Sequence, residues 1–115
     1  MIKMIATDLD GTLLCRDSSI HPITLGALQE ADRRGIIIAL CSGRPPHLIA
    51  GIAEMLGIET AIVALNGAII YSKWGTKPLH TSFLPNEAKE KGLELCKELG
   101  LNCNLYGESR LERMN

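Results

Sequence analysis

The chain has 115 residues, 46% of them apolar but only 3% aromatic, so one domain-sized core must be built from Ile, Leu, Val and Ala. Its 12 Lys and Arg against 13 Asp and Glu leave a formal net charge of -1 without a basic block, which excludes the usual electrostatic footprint of a nucleic-acid or anionic-membrane partner. Four cysteines without a C-x-x-C spacing, no signal-peptide-like segment and no apolar run of about 18 residues read as a reduced, cytoplasmic protein.

In chain order, Met1-Ile2-Lys3-Met4 runs into Ile5-Ala6-Thr7-Asp8-Leu9-Asp10-Gly11 and predicts a buried strand with two aspartates at its carboxyl end. A buried carboxylate must be paired or bind a metal, and ligands of open α/β sheets sit at such strand ends. A loop ending in His21-Pro22-Ile23-Thr24 opens a helix that carries Leu25, Leu28 and Ala31 and stops at Gly35. Residues 36–40 are a continuous β-branched and aliphatic run, as in strands buried on both faces. That strand ends at Cys41-Ser42-Gly43-Arg44, and Pro45-Pro46 start a second helix with Leu48, Ile49, Ile52, Ala53 and Leu56 as its apolar stripe. Residues 61–65 form a third apolar strand, closed by Asn66-Gly67. Strand, helix, strand, helix, strand predicts an α/β, Rossmann-like, three-layer parallel sheet in the order third-second-first, with helices on both faces.

Further on, residues 68–71 and 77–83 read as two short strands around a turn at Trp74-Gly75-Thr76. Pro85-Asn86-Glu87 begins a helix bearing Leu95, Cys96 and Leu99 and stopped by Gly100. Leu101, Cys103 and Leu105 alternate with Asn102, Asn104 and Tyr106, the pattern of a strand with one wet face, while residues 107–115 are charged and show no core pattern. The division expected is one layered unit over residues 1–83 and the start of a second over 84–115. The three histidines lack metal-ligand spacing and read as surface or loop residues, each cysteine as a small core or surface residue, and Trp74 as an edge residue.

Asp8-Leu9-Asp10-Gly11-Thr12-Leu13-Leu14 resembles the first signature of the haloacid-dehalogenase-like phosphatases, and the wider pattern to Tyr106 is similar to their Cof-type branch, with its α/β cap. The resemblance implies hydrolysis of small phosphorylated metabolites, sugar phosphates or phosphorylated cofactors, with Asp8 as nucleophile and Asp10 as acid and base. It implies Mg²⁺ held by the Asp8 side chain and the Asp10 carbonyl, and a phosphoryl-binding corner at Ser42 and Gly43, with Arg44 and Asn66 near the substrate. The chemistry is coherent. A carboxylate forms an aspartyl-phosphate, a hard cation offsets the repulsion between carboxylate and phosphate, and the Thr12 hydroxyl can fix the orientation of Asp8. Simpler roles stand beside these: a helix N-cap for Ser42, a helix-start charge for Arg44, and a positive-φ turn for Asn66-Gly67.

Family members continue through the cap and return to the core with a lysine and an acidic cluster, neither of which this sequence contains. The expectation is therefore the amino-terminal part of such an enzyme, inactive alone, with the residues that choose the substrate beyond Asn115. In the family the first strand is central, so its outer edge would be open to self-association. Two other readings are a non-catalytic phosphate- or metal-binding remnant and a receiver-like phospho-acceptor domain.

Overall fold

The computed structural model describes residues 1–107 together with the backbone of Leu111–Met114. The chain forms two compact units, Met1–Thr81 and Ser82–Asn115.

In the first unit, the three apolar runs form β1 (Met4–Asp8), β2 (Ile37–Cys41) and β3 (Ala61–Ala64), linked by α1 (Pro22–Arg33) and α2 (Pro46–Leu56). β1, β2 and β3 are parallel and adjacent in that order, with Asp8 opposite Cys41 and Cys41 opposite Val63. The sheet is mixed, because β4 (Ile69–Tyr71) and β5 (His80–Thr81) add on antiparallel after a tight reversal at Leu65–Gly67. The strand expected over residues 77–83 contracts to His80–Thr81. Pro78 has no N–H to give a ladder.

The helices correct the expectation of a layer on each face. Two right-handed crossovers that step the same way across a sheet land on the same side of it. Accordingly α1 and α2 lie against one another, with Gln29 Nε2 donating to the Leu56 carbonyl at 3.0 Å. Between them and the sheet, Leu28, Ile38, Leu40, Ile49, Ile52, Leu56 and Ile62 form a core with Leu9 and Leu14. Leu48, placed in the α2 stripe by its spacing, is 47% exposed, and Ala50 takes its place in the buried set. On the other face Met4 and its neighbour across the ladder, Ile37, are each 52% exposed. Among the described residues β1 pairs with β2 alone, so its outer edge is open.

In the second unit, α3 (Asn86–Glu98) ends as its sequence predicts. Gly100, at φ 66°, donates to the Lys97 carbonyl at 3.3 Å and Leu101 to the Cys96 carbonyl at 2.8 Å, the paired bonds of a Schellman stop. β6 (Cys103–Tyr106) alternates half-buried and exposed residues as expected, and pairs antiparallel with β7 (Leu111–Met114). The charged tail thus adds a strand that no apolar pattern announced. Its side chains, and residues 108–110 and 115, lie outside the described residues.

Candidate active site

The acidic turn after β1 is pinned by its apolar residues and opened by its polar ones. Leu9, Leu13 and Leu14 are buried, whereas Asp8, Asp10 and Thr12 are exposed. The backbone closes on itself: Thr12 donates to the Leu9 carbonyl at 3.1 Å, Leu13 to Asp8 at 3.3 Å and Leu14 to Leu9 at 2.9 Å. Gly11 supplies the positive φ of 76° this reversal needs. The Leu9 amide, not the Thr12 hydroxyl, orients Asp8, donating to Oδ1 at 2.9 Å. That corrects the role expected of Thr12. Nor are the two aspartates buried, because the strand ends where the sheet meets solvent.

Ser42 follows Cys41 directly, so it stands at the β2 end beside Asp8. Its amide donates to the Val63 carbonyl at 2.9 Å, and its buried hydroxyl accepts from the Arg44 amide at 3.0 Å. The hydroxyl hydrogen remains available to an acceptor. The N-cap of α2 is Pro45, so the serine organises the loop before the helix rather than the helix itself. Cys41 feels its acidic neighbour: burial, and then the charge of Asp8, push its thiol above the ordinary value.

Arg44 reaches back to the acidic turn. Its Nε donates to Asp10 Oδ2 at 2.9 Å and its Nη2 to Oδ1, a two-pronged pair. The hydrogen bonds from Arg44 hold the Asp10 carboxyl below the usual aspartate value, and Asp10 in turn raises Arg44. Sequence reasoning named both residues but not their pairing, since a contact between residues 10 and 44 leaves no periodic trace.

Asn66 completes the cluster. Leu65, Asn66 and Gly67 are successively left-handed, with φ of 50°, 55° and 97°. Such backbone is costly for residues with a β-carbon and is kept where surroundings hold it. The holding bonds run to the serine loop: Leu65 donates to the Arg44 carbonyl and Asn66 to the Ser42 carbonyl, each at 3.1 Å. A β-carbon on Gly43 would stand 3.2 Å from Asn66 Oδ1, so the missing side chain is what lets the carboxamide lie there. Asp8, Asp10, Ser42, Gly43, Arg44 and Asn66 are therefore drawn to one end of the sheet.

The other polar features lie apart. His21 is the N-cap of α1, its Nδ1 accepting from Ile23 at 3.2 Å. Trp74 meets Tyr71 edge-on with centroids 5.3 Å apart. Among the described residues no group of three His, Cys, Asp or Glu is placed to hold a metal, and no helix is long and apolar enough to cross a membrane. The oxygens at the acidic turn, the Asp8 carboxylate and the Asp10 peptide carbonyl, are nonetheless the hard donors Mg²⁺ takes, one or two carboxylates being its usual protein share.

A Rossmann-like sheet with a carboxylate turn beside a serine–glycine loop defines an α/β protein whose site lies at the carboxyl ends of its parallel strands. Residues 5–113 match the haloacid dehalogenase-like hydrolase family, and the chain belongs to it. It is 42% identical over 77 residues to phosphatase YwpJ of Bacillus subtilis (strain 168), which covers 64% of this chain and 26% of that protein. It is 30% identical over 94 residues to the phosphoglycolate phosphatase of Thermoplasma volcanium, covering 82% and 41%. A crystal structure of a haloacid dehalogenase-like hydrolase from Bacteroides thetaiotaomicron superposes with TM-score 0.88 at 27% identity, over 100% of this chain and 44% of that one. Membership of that family sets the receiver-like reading aside. The chain spans 26%, 41% and 44% of the length of these three relatives.

Proposed function

We propose that the protein is a cytoplasmic Mg²⁺-dependent phosphatase of small phosphomonoesters, sugar phosphates or phosphorylated cofactors, with residues 1–83 in its catalytic core and 84–115 opening its cap. The observation that supports this most is the meeting of Asp8 with Ser42 at adjacent parallel strand ends, with Arg44 and Asn66 bonded into the same loop. The Asp8 carboxylate attacks phosphorus in line with the leaving oxygen, and the phosphoryl group passes to Asp8. Asp10 gives the leaving oxygen its proton and afterwards takes one from the hydrolytic water. The Ser42 hydroxyl, the Gly43 amide, Thr12 and the Asn66 carboxamide bind phosphoryl oxygens. The Asp8 carboxylate and the Asp10 carbonyl would hold Mg²⁺, which when bound would supply positive charge that offsets the repulsion between carboxylate and phosphate.

Arg44 has two partners in this scheme. Paired with Asp10 it favours the ionised carboxylate, which cannot donate a proton, so it must release Asp10 and turn to the phosphoryl oxygens when substrate arrives. The same ion pair is what favours the second reading, a phosphate-binding remnant without turnover. The open outer edge of β1 further suggests self-association of the chain through that strand.

The test is Asp8→Asn in the protein as its gene encodes it. The amide keeps the shape and loses the nucleophile and a charged ligand, so Mg²⁺-dependent hydrolysis of phosphomonoesters should vanish while the circular dichroism spectrum stays unchanged. Hydrolysis undiminished in the variant rejects the covalent mechanism; phosphate binding by a wild type without turnover favours the remnant.

A further inference from the structure

Two of the four cysteines lie together, away from the acidic turn. Cys96 sits in the last turn of α3 and Cys103 opens β6. What joins them is the Schellman stop, where the Leu101 amide is bonded to the carbonyl of Cys96 itself at 2.8 Å and Gly100 reverses the chain. Two residues beyond Leu101, Cys103 comes back alongside Cys96. Both thiols are free and half-buried, and both line one groove of about 560 Å³, shared with Leu93, Lys97 and Leu101. Burial, and then the neighbouring Cys96, push the Cys103 thiol above its ordinary value. Among the described residues they do not form a group of three metal-ligating side chains, so they are a dithiol rather than a metal centre.

We propose that Cys96 and Cys103 are a modification site that closes to a reversible intramolecular disulfide by exchange with low-molecular-weight disulfides of the glutathione class. The helix stop brings both thiols onto the wall of one groove, and closing them forms an S–S bond of about 2 Å. A raised thiol supplies less thiolate, which suits Cys103 to the second, resolving step. The Cys96 thiolate attacks one sulfur of glutathione disulfide; that S–S bond breaks, and one glutathione leaves as thiolate and takes a proton. Cys103 then loses its proton and attacks Cys96 Sγ, and the second glutathione leaves. Two protein thiols are oxidised by two electrons, and one external disulfide is reduced to two thiols. Closed, the bond would staple the α3 end to β6; reduced, it would free the groove.

The experiment treats the intact protein with glutathione disulfide, blocks remaining thiols with an alkylating agent and maps the peptides by mass spectrometry. Expected is a Cys96–Cys103 crosslink lighter by two hydrogens, reversed by dithiothreitol, with Cys15 and Cys41 outside it. Cys103→Ser should accumulate a glutathione adduct on Cys96, and Cys96→Ser should react more slowly at Cys103. The proposal is overturned if both thiols alkylate fully after oxidation, if the crosslink joins either of them to Cys15 or Cys41, or if Cys103→Ser gathers no adduct at Cys96.

Discussion

Asn66 is where stability and function ought to come apart under substitution. Its backbone is left-handed, at φ 55° and ψ 33°, between two neighbours that are also at positive φ. That conformation costs a residue with a β-carbon roughly 1–2 kcal/mol, less for asparagine, whose side chain bonds locally. Asn66→Ala should therefore lose about 1 kcal/mol of stability. Asn66→Gly removes the strain but adds the freedom glycine has when unfolded, about 0.5–1 kcal/mol, and so should fall close to wild type. Both variants lose the carboxamide that lies over Gly43, so both should lose phosphatase turnover to the same extent. Urea denaturation followed by circular dichroism reads the first effect, and initial rates of phosphomonoester hydrolysis the second. An alanine variant as stable as wild type, or a glycine variant that recovers turnover together with stability, would refute the reasoning.

Arg44→Met should let the Asp10 carboxyl titrate upward, toward the ordinary 3.8, in a carboxyl NMR titration. Because Asp10 is depressed in the folded state, the pair's contribution is present above 3.8 and lost as pH falls through the lower folded value, so the variant should show a shallower acid loss of stability; an unmoved Asp10 midpoint contradicts the pairing. Gly43→Ala places a methyl 3.2 Å from Asn66 Oδ1 and should impair turnover while leaving the fold intact, since Gly43 needs no positive φ; unchanged turnover would show that the carboxamide does not depend on this space. A polypeptide of these 115 residues alone should self-associate on sedimentation and turn over phosphomonoesters poorly, and a monomer with ordinary Mg²⁺-dependent turnover would contradict both the β1-edge and the incomplete-site readings.

Much of the sheet was legible because burial leaves a trace in sequence. The runs 36–40 and 61–65 have nowhere to go but a buried strand, and Gly35 and Gly100 mark helix stops that the backbone uses at positive φ. The turns that gather polar residues were also visible, as Ser42-Gly43 and Asn66-Gly67 follow strands directly. What escaped depends on three dimensions. Arg44 and Asp10 meet only because β1 and β2 are neighbours, and no local spacing encodes that. The sidedness of α1 and α2 follows from crossover hand and strand order together, and was therefore implicit in the third-second-first order itself. β7 is set by pairing with β6, so its charged sequence shows no apolar period, and β5 is cut short by a single proline.

The phosphoryl group on Asp8 is the species on which the proposed mechanism stands. Acid quenching of the protein during turnover of a radiolabelled phosphomonoester, followed by peptide mapping, should find label on the peptide carrying Asp8, lost on mild alkaline treatment and absent from Asp8→Asn. Label on Ser42, or steady hydrolysis with no labelled peptide at any quench time, would contradict it.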